Sequence, residues 1–174
     1  MADNSNTPIL QDVDGYEVLT EAIMTLVNEY PGLPEGAEIS FATLSETAGI
    51  ALFPLNGAVI ERQTKDIWGL VTQICVYPFI VYYRTGHPTP ARRAAIKELL
   101  DSLGRWLEGQ KISVNGTDYQ LQAYPDLTGT RRIRSIARTA PAYLAEADES
   151  GTEDWAVSIS ARYTNEFEGG LLNA

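Results

Sequence analysis

The sequence offers few side chains that could carry out catalysis. Its 174 residues include one histidine, His87, and one cysteine, Cys75. A serine or cysteine nucleophile needs a base that activates it, and a structural zinc site needs about four Cys or His ligands. His87 lies in a Gly-His-Pro-Thr-Pro turn, and Cys75 lies within an apolar run where it is expected to be a small buried side chain. The sequence therefore predicts neither a nucleophilic site nor a zinc site.

Carboxylates are numerous, with 23 Asp and Glu against 13 Lys and Arg. This number is compatible with a carboxylate pair of the glycosidase type, but the acidic residues cluster in the chain ends and in turns, where solvated carboxylates are expected. The phosphate-binding pattern Gly-x-x-x-x-Gly-Lys-Ser/Thr and the dinucleotide-binding pattern Gly-x-Gly-x-x-Gly are both missing from the sequence. We therefore expect a protein that is not an enzyme and needs no cofactor.

A cluster of arginines is the most prominent charged feature, with Arg131, Arg132, Arg134 and Arg138 inside eight residues. On a strand, Arg132, Arg134 and Arg138 would share a face if no bulge intervenes. Arginine pairs well with carboxylates of another subunit, and it also binds phosphate or protects a strand edge against aggregation. The net charge of −10 disfavours duplex nucleic acid. The four arginines are therefore candidates for a protein–protein interface.

The charges are separated along the chain. Residues 1–60 contain nine acidic residues and no Lys or Arg, residues 61–144 contain seven acidic and twelve basic residues, and residues 145–174 contain seven acidic and one basic. Such separation favours head-to-tail contact between copies, because opposite patches steer association. A simple acidic surface that keeps the protein soluble is the alternative.

Two helices are predicted from apolar residues at three- and four-residue spacing. The first covers residues 15–30, with Asp14 as N-cap and Glu17 completing a capping box. The second covers residues 91–108, with Thr89 as N-cap and Pro90 at its first position.

Strands are predicted for most of the remaining chain. Residues 58–83 are rich in β-branched and aromatic side chains, and Gly69 or Pro78 in this run is expected to mark a bulge or a sheet edge. Residues 155–163 alternate between apolar and polar, as in a half-buried strand. Residues 132–144 are expected to form an edge strand because they contain Pro141.

Short strands are expected within residues 36–55, and two Asn-Gly dipeptides predict hairpins, at Asn56-Gly57 and at Asn115-Gly116.

These elements predict an α+β fold with a mainly antiparallel sheet and two principal helices packed on one face. We expect a flexible N-terminal arm over residues 1–13, a single domain over residues 14–167 and a loose tail over residues 168–174. The longest apolar stretch, residues 74–83, is too short to span a bilayer as a helix, so we expect no membrane partner and a cytoplasmic origin.

Five stretches of the chain have a recognisable order. They are Tyr77-Pro78-Phe79, residues 92–109 ending in Leu-Gly-Arg-Trp-Leu-Glu-Gly, Tyr124-Pro125-Asp126-Leu127, residues 141–146 and residues 155–167. Together they resemble the small tail-terminator (tail-completion) proteins of long-tailed phages and prophages. A late strand with a tryptophan near its start and a tyrosine near its end is common in that family. The resemblance covers residues 14–167, with residues 32–56 unmatched.

The resemblance implies an α+β virion protein that forms a ring of six copies at the head-proximal end of the tail tube. Such a ring stops tube growth and joins the tail to the head connector. The implied partners are further copies of the chain, the tail tube protein and the connector, with DNA only as passing cargo. Arg131, Arg132, Arg134 and Arg138 would then contact a neighbouring copy or the tube.

Three other functions remain open on the sequence. One is a head-closure or connector-adaptor protein of the phage neck. Another is a cytoplasmic adaptor or inhibitor that binds a basic partner through its acidic ends. The third is a small hydrolase or transferase that uses carboxylates.

Overall fold

The fold is α+β, as predicted, with two helices and a mostly antiparallel sheet. A computed structural model of the protein describes residues 9–169, and the element bounds refer to this part of the chain. The elements are α1 Val13–Asn28, β1 Ile39–Phe41, β2 Gly49–Pro54, β3 Val59–Lys65, β4 Leu70–Gly86, α2 Pro90–Leu107, β5 Ile112–Val114, β6 Thr117–Tyr119, β7 Arg131–Arg138, β8 Tyr143–Ala147 and β9 Thr152–Glu168.

Two 17-residue strands, β4 and β9, form the centre of a seven-stranded sheet. They pair antiparallel over their whole length, from Leu70 opposite Glu168 to Gly86 opposite Thr152. Strands β2 and β3 both pair with the other edge of β4, and β7 and β8 both pair with the other edge of β9. Strand β1 is parallel to β2, and β5 and β6 form a separate hairpin.

Both helices pack on the same face of this sheet, which we call the inner face. The odd-numbered residues of β4 from Cys75 to Val81 are fully buried there. The Thr20 hydroxyl of α1 lies 2.8 Å from the Tyr77 hydroxyl, and Arg92 of α2 donates a 2.6 Å hydrogen bond to the Tyr83 hydroxyl. Because side chains alternate along a strand, the even-numbered residues of β4 point to the opposite face, which we call the outer face.

Pro78 lies inside β4, where a proline removes a hydrogen bond from the ladder. Its carbonyl oxygen accepts a 2.8 Å hydrogen bond from the Leu55 N–H. The N–H and C=O of one residue in an antiparallel strand point to the same neighbouring strand. The side of Pro78 that lacks an N–H therefore faces residues 55–58, which lie between the end of β2 and the start of β3. Pro78 therefore marks no bulge in the β4–β9 ladder, and Gly69 lies in the turn between β3 and β4.

The hairpin predicted at Asn56-Gly57 is wrong. Both residues have positive φ, 53° and 70°, and they turn the chain, but β2 and β3 do not pair with each other. Pairing with β4 ends at Pro54 opposite Phe79 and resumes at Val59 opposite Val76. Strand β4 is long enough to pair with the two strands in succession, so the turn carries the chain along one edge of β4.

The predictions for α2, the second Asn-Gly hairpin, the edge strand and the short strands agree with the structure. Thr89 caps α2 and its hydroxyl accepts a 3.2 Å hydrogen bond from the Arg92 N–H, and Asn115-Gly116 joins β5 to β6. The predicted edge strand is divided into β7 and β8 on either side of Pro141. Short strands occur on both sides of residues 42–48 as expected.

The predicted start of the domain is corrected by the N-cap of α1, which is Asp12 and not Asp14. The Asp12 carboxylate accepts a 3.0 Å hydrogen bond from the Gly15 N–H, and its backbone N–H donates to the Ala58 carbonyl at 2.8 Å. Leu10 accepts a hydrogen bond from the Ile60 N–H at 2.9 Å. The part of the predicted arm from residue 10 onward is therefore held on β3, whereas residues 1–8 lie outside the described chain.

The predicted loose tail is also corrected at its start. Strand β9 continues to Glu168, and the Gly169 N–H donates a 2.9 Å hydrogen bond to the Gly69 carbonyl. Residues 170–174 lie outside the described chain. Within residues 9–169, no helix combines the length and the hydropathy that crossing a membrane requires.

Replacing Asp12 with Asn should lower the free energy of unfolding by about 2–3 kcal/mol, because the substitution leaves a buried arginine without its counter-ion. The matched control is Asp14→Asn, which changes the exposed carboxylate two residues away and should change stability by less than about 0.5 kcal/mol. Urea denaturation at neutral pH measures both values. Equal effects of the two substitutions would contradict Asp12 as the cap and ion-pair partner.

Candidate interaction surface

A β-bulge in β7 separates the four predicted arginines into two pairs. The register with β9 shifts between Ile133 and Ser135. Arg131 and Arg138 consequently pair with positions on the inner face, whereas Arg132 pairs with the outer-face residue Thr164. Arg134 lies in the bulge and donates a 3.1 Å hydrogen bond to the Thr164 hydroxyl, so it also lies on the outer face. The expected common face of Arg132, Arg134 and Arg138 is lost because of this bulge.

Arg131 holds the N-terminus of α1 on the sheet. Its guanidinium donates to both oxygens of the Asp12 carboxylate, at 2.8 and 2.5 Å, and only 14% of the Arg131 side chain is exposed. The Tyr163 hydroxyl donates to the same carboxylate at 2.7 Å. Burial alone would raise the pKa of Asp12, but the hydrogen bonds from Arg131, Tyr163 and the Gly15 N–H outweigh it and hold the pKa below its usual value.

Arg138 connects β7 to the end of α2. Its Nε donates to Glu108 at 2.9 Å, and its Nη1 lies 3.4 Å from Asp101. A Cβ at Gly104 would lie 2.2 Å from the Arg138 Cδ, so this glycine lets the arginine lie across the helix. Burial would raise the pKa of Glu108, but the hydrogen bonds from the Arg138 side chain and N–H lower it overall. Arg131 and Arg138 thus form ion pairs within the chain.

The two remaining predicted residues, Arg132 and Arg134, are exposed, and the fold brings two further arginines beside them. One row of paired residues crosses four neighbouring strands here. It consists of Arg62 of β3, Ile74 of β4, Thr164 of β9 and Arg132 of β7. This row spans three strand spacings, or about 14 Å. Arg162 lies two residue pairs further along β9 and therefore on the same face. We call these four residues the outer-face arginine cluster: Arg62, Arg132, Arg134 and Arg162.

Most of this cluster is free to bind a partner. Arg162 forms an ion pair with Glu61, whereas Arg62, Arg132 and Arg134 make no ion pair with any residue in the described range 9–169. The sequence did not indicate Arg62 and Arg162, because they are distant from the arginine run and become neighbours only through the strand register.

An apolar stripe continues from the cluster along the outer face of β4. Its residues are half-buried, and the Phe53 ring packs edge-on against Tyr82 with centroids 5.6 Å apart. Neither α1 nor α2 covers this face, since both contact the odd-numbered residues of β4 on the opposite side. A partly exposed apolar strip of this kind indicates a contact surface. The stripe consists of Ile74, Val76, Pro78, Ile80 and Tyr82.

The far end of the same face is acidic. Burial raises the pKa of Tyr82, and the nearby Tyr143, Asp154 and Glu146 add to this increase. Arg84 neutralises Asp154 through hydrogen bonds of 2.7 and 2.6 Å, so Glu146 and the adjacent turn supply the remaining negative charge. The outer face therefore runs from a basic end, across an apolar stripe, to an acidic end.

The residues considered for catalysis have packing roles. The His87 N–H donates a 2.8 Å hydrogen bond to the Gly151 carbonyl, and a Cβ on Gly151 would lie 2.3 Å from the His87 ring. Cys75 is fully buried, and burial raises the pKa of its thiol to about 11. Among residues 9–169, no group of three or more His, Cys, Asp or Glu side chains could hold a metal ion.

Replacing Glu108 with Gln should lower the free energy of unfolding at neutral pH by about 1–2 kcal/mol, because Arg138 loses its closer counter-ion and keeps the 3.4 Å contact with Asp101. The lowered pKa of Glu108 means that its contribution is present above the pKa of the unfolded state and is lost as the pH falls through the folded value. The difference between wild type and variant should therefore narrow below about pH 4.

The matched control for this prediction is Glu98→Gln, whose carboxylate is 69% exposed and pairs with Arg105 on the surface of α2. It should change stability by less than about 0.5 kcal/mol at any pH. Urea denaturation between pH 7 and pH 3 measures both differences, and a constant Glu108→Gln difference across this range would contradict the ion pair.

Comparison with known proteins assigns no family to the chain. No protein-family model matches it, and no curated protein matches it significantly. Its function therefore has to be inferred from its own residues and their arrangement.

Proposed function

We propose that the protein is a tail terminator of a long-tailed phage or prophage, which forms a ring on the head-proximal end of the tail tube. The arrangement that carries this proposal is the outer face, with free arginines at one end of a half-buried apolar stripe. A sheet face of this kind suits contact with another protein surface better than contact with a small substrate. The sequence resemblance, which extends over residues 14–167, is the reason for proposing a ring on the tail tube as the assembly.

The chain also carries an acidic surface that could receive the arginine cluster of a neighbouring copy. Asp14, Glu17 and Glu21 are exposed on α1, which lies on the inner side of the sheet. The cluster and these carboxylates are thus on opposite faces of the molecule. A contact between two different surfaces is heterologous, and repeated contacts of this type close into a ring when the rotation between copies permits it.

The proposed contact gives a role to the two arginines that form no ion pair within the described chain. Arg131 and Arg138 stabilise the subunit, whereas Arg132 and Arg134 extend from the same strand toward solvent. A charge-assisted pair between Arg and a carboxylate across an interface is strong and geometrically specific. Opposite patches on successive copies would also accelerate assembly by electrostatic steering. The net charge of −10 agrees with a channel through which DNA passes without adhering.

Replacing both Arg132 and Arg134 with Glu should abolish ring assembly and leave the fold intact, because both side chains are exposed and make no internal ion pair among the described residues. Light scattering after size-exclusion chromatography measures the oligomer, and the melting temperature reports on the fold. Lys111→Glu is the control for reversal of a surface charge: Lys111 is 65% exposed, immediately precedes β5 and forms an exposed ion pair with Asp118 of β6. Normal assembly of the double variant at unchanged melting temperature would contradict the proposed interface.

Electron microscopy of particles that lack the gene tests the function itself. For a tail terminator we expect DNA-filled heads that are separate from overlong or unattached tails. Tails of normal length beside heads that leak DNA would instead place the protein on the head side of the neck, and intact infectious particles would exclude a role in the virion.

A further inference from the structure

The free edge of β7, which faces away from β9, is covered by side chains near its C-terminal end. The Ile136 N–H donates a 3.2 Å hydrogen bond to the Tyr124 hydroxyl, and the Arg138 N–H donates a 3.0 Å hydrogen bond to the Glu108 carboxylate. Backbone groups that are satisfied in this way have no donor left for a ligand. The N-terminal half of the same edge, residues 131–134, is different.

Two backbone N–H groups in the N-terminal half of β7 are free to donate. The Glu166 N–H donates to the Thr130 carbonyl at 3.3 Å, so these two residues form a hydrogen-bonded pair. Because hydrogen-bonded and non-hydrogen-bonded pairs alternate along an antiparallel ladder, the N–H groups of Arg131 and Ile133 point away from β9. Neither of them has a hydrogen-bond partner among residues 9–169.

A cavity of about 370 Å³ lies against this half of the edge. Its walls are the loop before β7, with residues 124–127 and Gly129, and the strand itself, with residues 131–134. None of the described residues that line the cavity belongs to β9. The cavity therefore lies on the side to which the two free N–H groups point, and we call it the β7 edge pocket.

The unpaired charge in the β7 edge pocket is positive. Arg131, Arg132 and Arg134 line it together with one carboxylate, that of Asp126. Arg131 is neutralised by Asp12, whereas Arg132 and Arg134 form no ion pair within the described range 9–169. Two uncompensated guanidinium groups against one carboxylate favour an anionic ligand and disfavour a cation.

We propose that the β7 edge pocket binds the phosphate group of a small molecule. Arg132 and Arg134 supply the charge, and the N–H groups of Arg131 and Ile133 supply donors of fixed direction. Guanidinium groups and oriented backbone N–H groups are both common phosphate ligands in proteins. The site is complete within one chain, so the inference goes beyond the proposed ring and does not depend on it.

The number of donors favours phosphate over a carboxylate. Each guanidinium carries five N–H donors, and Arg134 uses only its Nε, in the hydrogen bond to the Thr164 hydroxyl. A carboxylate offers two acceptor oxygens, whereas a phosphate group offers three strong ones and can satisfy more of these donors. Duplex DNA is disfavoured as the source of the phosphate by the net charge of −10.

The first experiment titrates the full chain with inorganic phosphate by isothermal titration calorimetry, at low ionic strength because salt screens exposed charges. We expect one phosphate to bind to each chain. Arg132→Gln and Arg134→Gln should each weaken binding about tenfold at an unchanged melting temperature, because both side chains are exposed. Absence of phosphate binding by the wild type, or unchanged binding by either variant, would overturn the proposal.

Two further variants locate the phosphate within the pocket. Arg62→Gln is the matched control, because Arg62 belongs to the outer-face arginine cluster but does not line the pocket, and it should leave the affinity unchanged. Asp126→Asn should strengthen binding several-fold, because it removes a negative charge from the pocket wall. Equal weakening by Arg62→Gln and Arg134→Gln, or no effect of Asp126→Asn, would place the phosphate on the open face of the sheet and contradict the pocket.

Titrations with acetate and with duplex DNA test the class of ligand. Acetate should bind at least about tenfold more weakly than phosphate, and equal affinities would contradict the assignment to phosphate. The duplex should not bind. Binding of DNA that is lost in Arg134→Gln would assign the pocket to nucleic acid and overturn the small molecule as its ligand.

The pocket and the ring fail in different ways, because calorimetry measures phosphate binding and light scattering measures assembly. A chain that binds phosphate but remains monomeric supports the pocket and contradicts the ring. A chain that assembles but binds no phosphate overturns the pocket and leaves the proposed ring standing.

Discussion

The antiparallel ladder between β4 and β9 is the interaction on which the rest of the structure depends. All seventeen positions of each strand take part in it. Four further strands are attached to its two edges, and the core residues that receive α1 and α2 lie on its inner face. The surrounding strands and helices therefore pack on edges and on a face that this ladder creates.

The ladder also places the residues that stabilise the fold on one face of the sheet and the exposed charged residues on the other. Its inner face carries the buried side chains and the three ion pairs that involve Arg131 and Arg138. Its outer face retains half-buried apolar residues, free arginines at one end and negative charge at the other. One alternating strand can serve both purposes because neighbouring residues point in opposite directions. The bulge in β7 applies the same rule to the arginine run by dividing it between the two faces.

The sequence predicted those elements whose signals are local. Thr89 and Pro90 define the start of α2, and Asn115-Gly116 defines a hairpin, because both depend on a few adjacent residues. Features that depend on tertiary pairing were not predictable. The sequence predicted Asp14 as the N-cap of α1, whereas the cap is Asp12, whose carboxylate pairs with the distant Arg131. The proximity of Arg62 and Arg162 to Arg132 likewise required the strand register and the bulge, which no local pattern specifies.

The junction opposite Pro78 has a mechanical consequence. At this point the edge of β4 passes from β2 to β3, and the proline contributes no donor that could link the two. Each strand is consequently held to β4 by its own set of hydrogen bonds, and β3 can open from the sheet while β2 remains paired. The turn at residues 66–69 lies on the β3 side of this junction. Opening of β3 is thus decoupled from the β2 end of the sheet, and it leaves the ladder between β4 and β9 intact.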